Sequence, residues 1–271
     1  MSLKRRFIDT PGGQIHALLS DIEGSRRPLV MIPQFSVLEQ ERLIAALGDR
    51  ACIALDLPGM GDSDPPADSA PSIGGAASTV IAALDALGVD DFDLYGSHQG
   101  ARAAVEIAVQ APARVKHVIL DGAGLMDDAR RASLAKDYAP PIKIDHHGSQ
   151  LRWCWHFVRD SFLFWPHHEK RTENARVVGL PEPGALHDRT VQVLKNARTI
   201  HETLRATFEY PVADRLREVR CPALLSRLDG HCADILAHAT TTEHDFYDAA
   251  QSTDAEVAGW ARSIGSFLDN S

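Results

Sequence analysis

Apolar residues in this chain fall in short unbroken runs, separated by longer stretches in which they recur every three or four positions. The runs are 29–32, 52–55, 118–120 and 222–225. Their continuity predicts strands covered on both faces. Residues 37–47, 73–87, 101–110, 212–219 and 254–268 read as helices. The first gathers Leu38, Leu43, Ile44 and Leu47 on one side, and the last gathers Val257, Trp260, Ile264 and Phe267. Gly88 supplies a stop for the second. Residues 5–20 hold two extended stretches around Pro11-Gly12-Gly13, a hairpin pattern. Strands alternating with helices predict right-handed βαβ units and a mostly parallel central sheet flanked by helices.

The rhythm stops between 126 and 209. That stretch holds Trp153, Trp155 and Trp165, together with seven of the histidines (His146, His147, His156, His167, His168, His187 and His201). Aromatic and imidazole enrichment suits an inserted unit lining a pocket, although for any single tryptophan simple packing is the better bet. His167-His168-Glu169 does not read as a metal site, since adjacent side chains point different ways and no third ligand has fitting spacing.

A chain of 271 residues with 44% hydrophobic and 24% charged content can bury one α/β core plus an insertion. The net charge of −9 gives no support to binding nucleic acid or an anionic membrane. MSLKRRFIDT lacks an apolar signal core, and no run is long enough to span a bilayer. Cys52, Cys154, Cys221 and Cys232 show no metal or redox spacing. A cytoplasmic, cofactor-free protein acting on a small molecule is expected, with a homodimer left open.

The candidate chemistry centres on Asp93-Leu94-Tyr95-Gly96-Ser97-His98-Gln99-Gly100-Ala101. A short apolar strand meets a glycine-bounded turn and runs into a small-residue helix, the context of a G-x-S-x-G nucleophile elbow. The flanking glycines are needed where side chains would strike the neighbouring strand and helix. With Gly96 and Gly100 in those places, the apex residue is His98. Ser97 cannot be the apex, because Tyr95 and Gln99 would then occupy the crowded positions.

Taken with Asp56-Leu57-Pro58-Gly59-Met60-Gly61-Asp62-Ser63-Asp64 after the second buried run, and Leu120-Asp121-Gly122 after the next, this order resembles the α/β-hydrolase superfamily over roughly 5–125 and 210–268. The resemblance implies a core of 1–125 and 210–271, with a helical cap at 126–209 over the catalytic residues. It puts the triad acid at Asp229 and the triad histidine at His244, next to Asp245 and Phe246. His231 and His238 stand as substitutes, and Asp121 as a reserve acid. It implies one oxyanion donor from the Gln99 N–H and a second from Phe35 or Gln34. Trp153, Trp155 and Trp165 become candidate substrate contacts.

A neutral imidazole offers a lone pair at physiological pH without the separate base that a serine needs. His98 could therefore attack a carbonyl, act as general base, or fill the turn of a silent binder. The base is preferred, because the ring occupies the volume that an adduct on serine would need. The expected function is hydrolysis of a small ester, lactone or ketone-type substrate. The alternatives are a cofactor-independent lyase or decarboxylase using His98 as base, and a non-catalytic ligand-binding protein.

Overall fold

The computed structural model describes residues 2–20, 27–66, 70–236, 238–244 and 247–270. The opening hairpin is β1 (Leu3–Thr10) and β2 (Gly13–Ser20), turning where Gly13 takes φ 119. After it come β3 (Leu29–Ile32), α1 (Glu41–Ala46), β4 (Cys52–Leu55), α2 (Ile73–Ala86), β5 (Phe92–Ser97), α3 (Gln99–Gln110) and β6 (Val115–Asp121). The stretch expected as one helix at 37–47 divides. Ser36 accepts the Leu38 N–H through its side chain, starting a tight 3-10 turn at Val37–Gln40 before α1 begins. Four helices follow β6: α4 (Asp128–Asp137), α5 (Ser149–Leu163), α6 (Pro183–Lys195) and α7 (Ile200–Glu209). The chain closes with α8 (Val212–Leu216), β7 (Ala223–Leu225), a 3-10 segment at Arg227–Asp234, β8 (Ala239–Thr241) and α9 (Asp254–Asp269).

These strands form one sheet in the order β1-β2-β4-β3-β5-β6-β7-β8. The pairings β1–β2 and β2–β4 are antiparallel, and all others are parallel. β8 was not anticipated. Its three residues, Ala-Thr-Thr, are part exposed at the sheet edge and carry no apolar run.

Alternation along the strands separates two cores. Val30, Leu94, Val118 and Leu120 point to one face with α2 and α3, and this core continues into α5 and α7 through Phe157 and Phe208. Met31, Tyr95, Ile119 and Leu224 point to the other, where Leu43, Ile44, Trp260 and Ile264 cover them from α1 and α9. Both faces are thus buried, which is why the parallel strands read as unbroken apolar runs.

The loop after β4 is built on Asp56. Its carboxylate accepts the N–H of Val37 at 2.6 Å and of Asp62 at 3.0 Å, and meets His16 Nδ1 at 2.8 Å. Gly61, at φ 55, passes so close to that carboxylate that any side chain there would collide with it. The helical segment docks onto this loop through Lys195–Asp62 at 2.7 Å and a Thr199 hydroxyl donating to the Gly59 carbonyl at 2.8 Å.

Candidate functional site

β5 ends under the helical segment, and the chain reverses there in a single residue. His98 sits at φ 53, ψ −110, the only non-glycine residue with positive φ among those described. Such a conformation costs about 1–3 kcal/mol and persists only where the surroundings enforce it. Here they do. A Cβ on Gly96 would lie 2.4 Å from the Gly100 carbonyl oxygen, and one on Gly100 would lie 2.0 Å from the Ile32 carbonyl oxygen. The His98 N–H donates to the Asp121 carbonyl at 2.7 Å, locking the apex to β6. Ser97 is buried inside β5, 3.4 Å from the Gln40 amide nitrogen, and is not the apex.

His98 lines a cavity of about 390 Å³, bounded by the strand ends below and by α5, α6 and α7 above. Phe35, Tyr138, Phe157, Phe162, Trp165, Leu204 and Phe208 supply its apolar wall. Three arginines (Arg102, Arg176 and Arg189) and two aspartates (Asp229 and Asp248) also reach it. Burial lowers the imidazole pKa to about 4; the Asp248 and Asp229 charges oppose this and the Arg189 and Arg176 charges add to it. His98 is therefore a neutral ring at physiological pH.

The cavity adds a buried charge cluster that no local sequence pattern announced. The 3-10 turn folds Glu39 back over its own loop, where one carboxylate oxygen accepts the N–H of Gln34 at 3.1 Å and of Phe35 at 3.2 Å. The other oxygen lies 3.2 Å from Arg189 Nε, and Arg189 Nη2 lies 3.3 Å from Asp248. Burial pushes the Glu39 carboxyl up against the pull of Arg189 and the two N–H groups. For Asp248 burial also pushes upward, but Arg189 and His98 outweigh it and hold the carboxyl below its usual range.

This geometry revises several expectations. Gln34 and Phe35 do not present open oxyanion donors, since Glu39 already occupies both N–H groups. Asp229 reaches the cavity, but its carboxylate caps the loop after β6. It accepts the N–H groups of Gly122, Ala123 (2.9 Å) and Gly124 (2.9 Å) and the Ser226 hydroxyl (3.0 Å), and among the described residues it bonds no histidine. His244 stands between β8 and α9, and its ring does not line the cavity. The Thr242 hydroxyl takes its N–H, its carbonyl takes the Arg227 N–H, and its ring packs on Gly259 of α9. Asp245 and Phe246 lie outside the described residues.

The substitutes fare no better. His231 accepts the Leu125 N–H through Nε2 at 3.1 Å, and His238 is exposed at the sheet edge. Asp121 shares a strand face with Ile119, so its side chain points beneath the sheet. There it accepts from the Tyr95 hydroxyl at 2.6 Å, the Tyr247 N–H at 3.1 Å and the Trp260 ring at 3.2 Å. Of the three tryptophans, Trp165 lines the cavity. Trp153 stacks on Phe157 behind the wall at 4.9 Å, and Trp155 is exposed on the outer side of α5. Gln99 stands at the first position of α3 beside the apex.

Asp229, His231 and Cys232 bring ligand atoms within 4.8 Å of one another. The first two are already engaged by backbone N–H groups, and burial pushes the Cys232 thiol up to about 12, so the trio is poorly disposed to a metal.

A sequence profile described as the alpha/beta hydrolase fold matches residues 27–142, which carry β3 through β6 and the apex turn. The whole chain also superposes on solved structures of that fold. The chain has the α/β-hydrolase fold. An enol-lactonase from Burkholderia xenovorans matches with TM-score 0.71 at 14% identity, covering 97% of this chain and 100% of that one. A carboxylesterase from Bacillus subtilis gives 0.70 at 14%, covering 100% and 93%. A haloalkane dehalogenase from Bradyrhizobium elkani gives 0.64 at 16%, covering 98% and 100%. Likeness at such identities is likeness of the α/β-hydrolase fold alone, a scaffold that carries many chemistries. Among the described residues, no helix is long and apolar enough to cross a membrane.

Proposed function

We propose that this chain is an enzyme acting on a small carbonyl compound, with His98 as its general base at the apex of a nucleophile-elbow turn and the 126–209 segment as a cap that excludes water. The observation that carries the reading is a neutral imidazole, held in a strained backbone conformation, facing a cavity of about 390 Å³. A turn that merely joined a strand to a helix would have no reason to retain a left-handed histidine. Base catalysis is preferred to nucleophilic attack because the imidazole ring fills the volume that an adduct at the apex would need; on either route Glu39 takes the Gln34 and Phe35 N–H groups, so an oxyanion must be held elsewhere. What remains for developing negative charge is the N-terminal end of α3 and the nearby arginines. Asp248 serves as the carboxylate that favours the imidazolium formed in the transition state, in place of an aspartate bonded to the ring.

Hydrolysis of an ester or lactone is the primary reading, and activities named for structural neighbours of this fold support that class. Proton abstraction from carbon in a lyase or decarboxylase is a second reading, favoured by the occupied N–H pair. The test replaces His98 by alanine and by glutamine and assays both against small esters, lactones and hydroxy-ketones in H₂¹⁸O and D₂O. Loss of a positioned general base should lower the rate about 10²- to 10⁴-fold. Heavy oxygen in a product acid marks hydrolysis, and deuterium at the carbon next to the carbonyl marks proton abstraction. An unchanged rate in both variants refutes the proposal.

A further inference from the structure

We propose that Arg102 and Gln99 form a subsite for a carboxylate on the ligand, so that the compound bound is a monoanion with an apolar body; this deepens the reading of the His98 cavity as an active site and rests on it. Arg102 is only 7% exposed and lines the cavity, yet it has no carboxylate partner among the described residues. Its one hydrogen bond there is a long contact from Nη2 to the Gly124 carbonyl, at 3.4 Å. Its guanidinium also lies 5.7 Å from the centre of the Phe208 ring. A guanidinium carries five N–H donors, and burying one without an anion is costly. Burial lowers its pKa to about 10, against the pull of Asp229, so it remains a cation at neutral pH. Asp229 cannot complete the pairing, because three backbone N–H groups and the Ser226 hydroxyl already take its oxygens.

An independent observation points to the same place. Gln99 is 3% exposed and lines the cavity, and among the described residues neither its amide oxygen nor its amide nitrogen has a hydrogen-bond partner. Buried amides are rarely left in that condition. Gln99 and Arg102 are three residues apart on α3, which puts them on one side of the helix. A carboxylate accepting from the guanidinium fork and the amide NH₂ would satisfy both groups. The Arg102 guanidinium by itself calls for a single negative charge. His98 and Arg102 line the same cavity, so the acid would bind in the space that the reacting group faces.

The test measures binding of 4-oxo-4-phenylbutanoate, its methyl ester, its carboxamide and phenyl phosphate by calorimetry. The proteins are wild type, Arg102→Met, Arg102→Lys and His98→Ala, each checked for folding by circular dichroism. The expected result is at least tenfold tighter binding of the acid than of its ester or amide to wild type. Arg102→Met should lose that preference, Arg102→Lys should keep part of it, and His98→Ala should retain it. Equal binding of acid and ester, an acid preference surviving in Arg102→Met, no binding of the acid, or tighter binding of the phosphate would each overturn the proposal. His98→Ala separates the two readings. If that variant stays active, the assignment of the base fails while the acid preference is still measurable; if it is inactive and no preference exists, the subsite alone fails.

Discussion

Of the three arginines that reach the cavity, two on different walls are buried to nearly the same extent, Arg189 at 9% and Arg102 at 7% exposure. Around Arg189 the chain has arranged Glu39 and Asp248 within 3.3 Å, with the rings of Phe35 and Phe162 beneath the guanidinium. Around Arg102 there is a single carbonyl at 3.4 Å and an aromatic ring. The first cluster is complete in itself and joins three distant parts of the chain: the loop after β3, helix α6 and the stretch before α9. The second is incomplete, and a buried cation left incomplete is a place for something from outside. Similar burial, opposite neutralisation, and hence opposite roles are what the pair teaches.

The comparison breaks most visibly at Arg189. Replacing it with methionine leaves Glu39 and Asp248 buried without their cation, and loss of one partner from such a cluster costs about 3–5 kcal/mol. Urea unfolding of Arg189→Met should show that loss. The triple change Glu39→Gln, Asp248→Asn, Arg189→Met should recover a large part of it, because no uncompensated charge then remains. A single substitution that left the unfolding midpoint unmoved would mean that Arg189 is not structural.

This cluster also marks where the sequence stopped being readable. The fold was legible because each buried parallel strand leaves a contiguous signal: 29–32, 52–55 and 118–120 all became strands covered on both faces. The apex was legible because steric exclusion acts locally, with Gly96 and Gly100 two residues either side of His98. Glu39, Arg189 and Asp248 lie far apart in the chain, and nothing in their neighbours ties a charge in one segment to a charge in another. His244 failed for a different reason. It stands just before α9, but chain order does not determine which way a ring turns, and Gly259 offers it a seat on α9. Gln99 and Arg102 were accessible to a helical reading: three residues apart in α3, they share one side of it.

Between the two walls, His98 predicts a pH effect of intermediate size. Its folded pKa is lowered from 6.5 to about 4 by burial. Below pH 6.5 the unfolded chain binds a proton that the folded chain refuses, so stability is fully present above 6.5 and is lost as pH falls towards 4. The contribution is at most ~3 kcal/mol. His167, lowered to about 4 by the same cause, adds a parallel slope, so His98→Gln should remove its own share of the acid sensitivity and leave the rest. The same lowered pKa should keep kcat/KM flat from neutral pH down to about 5, with the acid limb near 4. A limb at 6.5 would show a solvated imidazole and remove the basis for contrasting it with the charged groups around it.

The smallest expected effect is the most telling. Arg102→Met keeps a long flexible side chain beside Phe208 and Met126 while removing a cation that has no protein anion to lose. Unlike Arg189→Met, it should leave the stability of the ligand-free protein unchanged or raise it by up to about 1 kcal/mol, as substitutions at ligand-binding sites often do. Thermal unfolding of the two methionine variants side by side, without ligand, reads the difference directly. A loss at Arg102 as large as that at Arg189 would mean that the guanidinium is held by the fold after all, and the two walls would then be doing the same job.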